Sequence, residues 1–402
     1  MPVRWRDAMS RALYGPHGFF VADAGPADHF RTSVHASPAF ATALLRLVSQ
    51  VDATLGHPDR LDVVDVGAGR GELLRAIHQA VGVAVRVSAR LSPDEPSLVA
   101  VRPSLAERVR FTAVEYANRP DNLPEEINWT AEIPEGITGL LIATEWLDNV
   151  PLDMAAHTED GWRYLLVDPA SGTETIGDPV SPADLDWLTK WWLSPASPPS
   201  TDSAPSPGVS GTDPTSGSES GFGAARPAQG SSLTARSRPG CPETPHSDYQ
   251  RAEIGRTRDE AWADAIDKIE RGLAVAVDYG HLRESRPVDG TLTGYRAGRQ
   301  VPPVPDGSSD VTAHVAMDSV ASAGAAVARC AYSLISQAEA LRALGADGGR
   351  PPLSMAGTDP AGYVRALAAA SSVAELTDPA GLGGHLWLRQ PVGIPHEPGV
   401  AR

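Results

Sequence analysis

Val63-Val64-Asp65-Val66-Gly67-Ala68-Gly69-Arg70-Gly71-Glu72 is an apolar strand that runs into three closely spaced glycines and then into a helix. Leu61 to Val66 is β-branched and short enough for a buried parallel strand, while Leu73, Leu74, Ile77 and Val81 recur at helical spacing after the turn. The hydrophobic period therefore switches from strand to helix at the glycines. A main chain that turns so sharply needs positive φ and no Cβ, which lets a ligand lie against the backbone and face the helix N-terminus.

The spacing of the glycines bears on which ligand. A dinucleotide fingerprint places its third glycine five residues after the first, where this chain has Glu72. The third glycine comes one residue early, at Gly71, and Asp65 stands two residues before the first, giving Asp-x-Gly-x-Gly-x-Gly. This pattern resembles the first motif of class I S-adenosylmethionine (SAM) methyltransferases, whose ligand has no pyrophosphate but carries an ammonium group that a carboxylate can hold. An NAD-type site and a purely structural glycine turn are the alternatives at this point.

Composition narrows the partners. With 34 basic against 50 acidic residues, the 402-residue chain has a net charge of -16, which repels a phosphate backbone and argues against nucleic acid. A basic or guanidinium-bearing substrate is compatible with that charge. Two cysteines, Cys241 and Cys330, cannot build a disulfide framework or a zinc cage, so no metal site is expected and a reducing cytoplasm fits. The first residues lack the apolar core of a signal peptide, and no run approaches the roughly 20 apolar residues of a membrane span.

Outward from the glycine turn, Ser37 is a good N-cap with Pro38 at the first helical position, and Phe40, Leu44, Leu47, Val48 and Val51 share one face of the helix that follows. The loop before it, with Thr32, Ser33 and His35, is a polar element expected at the rim of the pocket. Val83 to Val87 and Val109 to Val114 compete for the second strand. The latter is preferred because it ends in Glu115, and an acid there can accept hydrogen bonds from ribose hydroxyls. Ile127 to Trp129 is a weak third strand. Gly139 to Ala143 is a strong fourth, running into Thr144-Glu145-Trp146-Leu147-Asp148-Asn149. Two carboxylates three residues apart beyond a central strand would share the crevice with a cofactor and could hold a cationic group between them; capping helices or balancing a nearby Arg is the other use for such acids.

A hairpin is expected to turn at Asp160-Gly161. Residues 184–193 read as a short helix whose Trp187, Trp191 and Trp192 are packing residues. From 194 to 247 the chain is rich in Ser, Pro, Gly and Thr, has almost no large apolar residue, and is expected to be a disordered insertion within one domain. A helix is expected over 259–269 with Gly272 ending it, then a buried strand, Leu273 to Val277, that ends in Asp278. Val327 to Ile335 and His385 to Arg389 are expected as the last two strands, antiparallel at one edge.

Together, Ala12 to Phe20, Thr32 to Pro38, Val64 to Leu73, Ala143 to Pro151, Val277 to Gly280 and Asp310 to Val315 resemble, in content and order, the MidA family of SAM-dependent methyltransferases, whose mitochondrial members assist complex I assembly. The resemblance implies an α/β fold of the class I, Rossmann-like type with helical additions, SAM as cofactor and a protein substrate, arginine by analogy with the mitochondrial members. Residues 1–60 would be N-terminal helices and a polar loop packed on the sheet, with 61–193 and 248–402 the two parts of the methyltransferase domain. Asp65, Gly67, Gly69, Gly71, Glu115, Thr144 and Thr32 are assigned to the cofactor, and Glu145, Asp148 and His35 to catalysis with Asp278 assisting. The family's Thr-Ser-Pro-Glu has Val34 and His35 in its last two places here, so an acid is lost near the pocket. A scaffolding protein that retains the fold without catalysis is the competing reading.

Overall fold

The computed structural model describes residues 1–21, 33, 38–91, 103–192, 249–346 and 348–395. The expected insertion at 194–247, together with Thr32, His35 and Ser37, lies outside the described residues.

The central sheet has seven strands, numbered here β1 (Leu61–Val66), β2 (Val109–Val114), β3 (Ile127–Thr130), β4 (Ile137–Thr144), β5 (Ile269–Asp278), β6 (Ser333–Ser336) and β7 (Leu386–Val392). Their order is β3-β2-β1-β4-β5-β7-β6. The first five are parallel, and β7 runs antiparallel to both β5 and β6. This is the doubly wound class I arrangement expected from the motifs. The second strand is β2 and not Val83 to Val87, which belongs to helix Glu72–Leu91. Because β1 leads outward to β2 and β3 while β4 and β5 extend the other way, the topology switches between β1 and β4, and a crevice opens beyond their carboxyl ends.

Both faces of the inner strands are covered, which is why they read as unbroken apolar runs. Leu61 and Val63 of β1, Leu140 and Ile142 of β4, and Val275 and Val277 of β5 pack with helices Pro38–Thr54 and Glu72–Leu91 on one side. Val64, Leu141 and Ala274 pack on the other, with Trp262 and Ile266 of helix Arg256–Asp267 and Val320 of helix Met317–Ala328.

Between β4 and β5 the chain forms a second, antiparallel sheet from Asp153–Thr158, Gly161–Val167, Glu174–Pro179 and Gln250–Ile254, joined by the N-terminal Val3–Arg4. The hairpin forms, but its two-residue loop is Glu159-Asp160, one residue earlier than expected, with Gly161 opening the return strand opposite Thr158. Helix Trp5–Tyr14 buries Trp5, Met9 and Leu13 against this second sheet, with Met154, Leu165 and Val167. The first sixty residues are thus divided: helix Pro38–Thr54 packs on the central sheet and helix Trp5–Tyr14 on the other.

Gly272 does not end a helix. Helix Arg256–Asp267 stops five residues earlier, Ile269 already opens β5, and Gly272 (φ 151°) lies inside that strand opposite Gly139 (φ 152°). The reason is close backbone approach: a Cβ on Gly272 would meet the Gly139 carbonyl oxygen at 1.9 Å, and one on Gly139 would meet that of Asp62 at 2.0 Å. Similarly, β6 starts only at Ser333, because helix Met317–Ala328 continues through the start of the segment expected as strand. Gly272→Ala should cost about 3 kcal/mol, near the top of the usual single-substitution range, seen as a lower urea midpoint. Gly357→Ala, in helix Ser354–Thr358 with nothing within 4 Å of the added carbon, should be neutral or slightly stabilising in the same measurement.

Candidate active site

After Val66 the main chain turns through Gly67, Gly69 and Gly71 with φ of 71°, 59° and 75°. At two of these glycines a Cβ would also crowd a neighbouring side chain, lying 2.9 Å from Trp146 Cδ1 at Gly67 and 2.7 Å from Leu123 Cδ1 at Gly71. Gly69 differs. The nearest atom to an added Cβ there is Glu72 Oε2 at 3.5 Å, so this glycine leaves room for something to lie over the backbone. The turn is fastened to the end of β2: the Gly67 and Ala68 N–H groups donate to the Val114 carbonyl at 3.0 and 3.2 Å, and the Gly69 N–H donates to Glu115 Oε2 at 3.0 Å.

The cleft over this turn has a volume of about 1320 Å³ and includes Asp65, Gly69, Glu115, Thr144, Glu145 and Asp148 in its walls. Asp65, on β1, is buried, and no hydrogen-bond donor among the described residues meets its carboxyl. Burial, and then the nearby Glu72 and Glu115 carboxylates, push its pKa well above the ordinary value. Glu115 is pushed up by burial despite accepting N–H bonds from Tyr116 and Gly69. The Thr144 hydroxyl, at the end of β4, is buried without a partner among the described residues.

On the far side of the cleft the geometry changes from backbone to side chains. Glu145 takes a positive φ of 51°, a conformation that non-glycine residues adopt uncommonly. Its N–H donates to the Val277 carbonyl at 2.8 Å, and its Oε1 accepts from the Ser33 N–H at 3.1 Å. A 3₁₀ turn at Leu147–Asn149 then carries Asp148. Asp278, at the end of β5, holds that turn by accepting from the Leu147 and Asp148 N–H groups at 3.0 and 3.3 Å.

Asp148 Oδ2 accepts from the Tyr279 hydroxyl and from Thr312 Oγ1 (2.7 Å), while its Oδ1 is buried and unpartnered among the described residues. Asp310 accepts from the Asn149 amide at 2.7 Å. Burial raises the pKa of Asp148, and raises those of Asp278 and Asp310 well above the ordinary range, with the Asp148 charge adding to both of the latter. Aromatic rings surround these acids. Tyr14 stacks on Phe20 at 5.7 Å and meets Tyr116 edge-on at 5.6 Å, and Tyr279 lies 5.1 Å from His314 and 5.6 Å from His385. His385 is neutral, since burial and then His314 lower its pKa to about 4.

The fold thus gathers Asp65, Gly67, Gly69, Glu115, Thr144, Glu145 and Asp148 around one cleft, with Asp278 directly behind it; Gly71 shapes the turn but is not in the cleft wall. Thr32 and His35 lie outside the described residues. Sequence reasoning left Tyr14, Tyr116, Tyr279, Asp310 and His314 without roles, though all five line the cleft. Tyr279 had a usable signal, since it directly follows the acid that ends a buried strand; Tyr14 and Asp310 reach the site only through tertiary packing.

The raised pKa of Asp278 has a consequence for stability. A carboxyl that holds its proton more tightly when folded makes the wild type less stable as pH rises from the ordinary carboxylate value through the raised one. Asp278→Asn should therefore gain stability relative to wild type over that interval and level off above it, as measured by urea unfolding across a pH series.

A family model described as "Putative S-adenosyl-L-methionine-dependent methyltransferase" matches residues 41–334. A curated relative, the mitochondrial protein arginine methyltransferase NDUFAF7 of Danio rerio, is 28% identical over 207 residues, which are 46% of this chain and 46% of that protein. The chain thus matches about half the length of that relative. A Burkholderia thailandensis crystal structure bound to S-adenosyl-homocysteine superposes with a TM-score of 0.62 at 20% identity, covering 98% of this chain and 89% of that one. A native structure from the same organism superposes with a TM-score of 0.61 at 20% identity, covering 98% and 88%. These two establish likeness of fold. The family match spans most of the chain and contains the glycine turn, both acids after β4 and the end of β5, so the chain belongs to this family of SAM-dependent methyltransferases, the one its motifs resemble.

Proposed function

We propose that this protein transfers a methyl group from SAM to a nitrogen of a protein side chain, with the arginine guanidinium as acceptor. The observation that carries this reading is a carboxyl-lined, aromatic-walled chamber beside a glycine turn that leaves its backbone open at Gly69. The residues suit the cofactor chemically. Asp65 offers a buried carboxyl free of donors from the described residues to an ammonium group, Glu115 lies at the end of β2 where ribose hydroxyls are held in this fold class, and Gly69 admits the ligand against the main chain. SAM supplies an electrophilic methyl on a sulfonium, so little covalent chemistry is asked of side chains.

What remains for the protein is to bind, orient and deprotonate the acceptor. A guanidinium is planar and cationic, and carboxylates such as Glu145 and Asp148 can receive it through charge-assisted hydrogen bonds that hold its charge away from the attacking nitrogen. The unpartnered Oδ1 of Asp148 is the site for such a bond, and Tyr279 and Thr312 fix the other oxygen. The rings of Tyr14, Tyr116 and Tyr279 suit the face of a cation. The proton released on methylation passes to a carboxylate such as Asp148, whose pKa burial raises.

Asp65→Asn should weaken S-adenosylhomocysteine binding about tenfold or more, the worth of one hydrogen bond to a charged group. Wild-type affinity should rise with pH through the elevated Asp65 pKa, because a proton competes with the ligand's ammonium group, and the variant should lose that slope in calorimetry. In a lysate supplied with methyl-labelled SAM, Asp148→Asn should cut labelling of protein by about a hundredfold while leaving S-adenosylhomocysteine affinity within about threefold. Label on arginine supports the acceptor. Label on another residue moves it, and none from wild type favours a scaffold that does not catalyse.

A further inference from the structure

We infer that Arg258 is a positioning residue for the acceptor chamber, its planar guanidinium joining by backbone contacts the two segments that carry Asp148 and Thr312. This rests on the methyltransferase reading for its functional consequence, though not for its geometry. Arg258 is buried, at 1% exposure, yet no carboxylate among the described residues lies within ion-pair distance of it. Among the described residues its hydrogen bonds all go to main-chain oxygens. Nε donates to Val150 (3.2 Å), Nη2 to Asp148, and Nη1 to Ala313 and His314 (3.0 Å each). One side of the fork therefore grips the turn that presents Asp148, and the other grips the backbone just beyond Thr312, whose hydroxyl binds the Asp148 carboxyl.

The guanidinium is delivered from the first turn of helix Arg256–Asp267, whose successive side chains all tie down neighbouring segments. Arg256 pairs with Asp184 of helix Pro182–Trp191 at 2.7 Å, Thr257 Oγ1 donates to the Pro151 carbonyl at 2.6 Å, and Arg258 spans the chamber's two segments. A lysine cannot substitute, because a single ammonium nitrogen cannot reach four carbonyls spread around a planar fork. With the fork removed, four carbonyls lose a donor, and the Asp148 turn is joined to the Thr312 segment only by the Ala313 N–H to Asp148 carbonyl bond at 3.4 Å and the Thr312 hydroxyl, which loosens its position relative to Thr312 and Tyr279. A displacement of about 1 Å at a reacting centre is enough to cost about a hundredfold in rate.

The test compares wild type with Arg258→Ala and Arg258→Lys by three measurements: backbone hydrogen exchange, S-adenosylhomocysteine calorimetry, and label transferred from SAM to lysate protein. Exchange in 147–150 and 313–315 should quicken about tenfold or more in both variants, with 63–72 unchanged and S-adenosylhomocysteine affinity within about threefold. Labelling should drop about a hundredfold. Millimolar guanidinium chloride should restore slow exchange and labelling to Arg258→Ala, and methylammonium chloride should not. Wild-type behaviour of Arg258→Lys in exchange and labelling overturns the proposal, and so does loosening that spreads equally to 63–72 with loss of S-adenosylhomocysteine binding. Should Arg258→Ala not fold, Arg258→Lys decides. If wild type transfers no label, the methyltransferase reading fails, while the exchange pattern still decides whether Arg258 joins the two segments.

Discussion

Asp65, Asp148, Asp278 and Asp310 are buried along the carboxyl edge of the central sheet, and among the described residues no basic side chain forms an ion pair with any of them. Such burial is costly in an apolar interior unless the charge is paired, hydrogen-bonded or neutralised by a proton. The chain uses the last two. Amide and hydroxyl donors meet Asp148, Asp278 and Asp310 in part, and the elevated pKa values express the rest. A cationic ligand would relieve what these donors leave uncompensated. The site is therefore matched to positive charge by what it withholds as much as by what it offers.

Two structural systems create that edge. The central sheet brings the ends of β1, β4 and β5 side by side, so that Asp65, Glu145 and Asp278 converge although they are far apart in the chain. The close backbone approach at Gly139 and Gly272 holds β4 and β5 in the register that aligns those ends. The second sheet and its helices supply what the class I core lacks. Helix Trp5–Tyr14 brings Tyr14 to the cleft, where its hydroxyl donates to the Asn149 carbonyl at 3.2 Å, and strand Gln250–Ile254 leads into the helix that carries Arg258.

The parts of this arrangement visible in the sequence were those written locally. A buried strand followed by closely spaced glycines gave the turn and Asp65, and strands ending in acids led to Glu115, Glu145 and Asp278, because strand ends are where a doubly wound sheet keeps its chemistry. Gly272 was misread because a glycine that ends a helix and one that admits a neighbouring backbone look alike without the partner strand. Arg258 carries no local mark: it is one arginine in a charged helical segment, and its significance lies in carbonyls more than a hundred residues earlier and more than fifty later. Asp310 likewise gained its meaning only when tertiary packing placed it beside Asn149.

The direction of Arg258's hydrogen bonds bears on how the site can both fold and bind. Had this guanidinium formed a bidentate pair with Asp148, it would have neutralised that carboxylate and occupied the oxygens needed for a cationic acceptor. Because its four hydrogen bonds to the described residues all go to carbonyls, its charge acts on Asp148, Asp278 and Glu253 only through space, and burial lowers its own pKa. Attraction at that range lessens the cost of keeping carboxylates ionised in a poorly hydrated region, yet leaves Asp148 Oδ1 open. The same residue thereby holds the chamber's backbone in place and makes its negative charge tolerable without cancelling it.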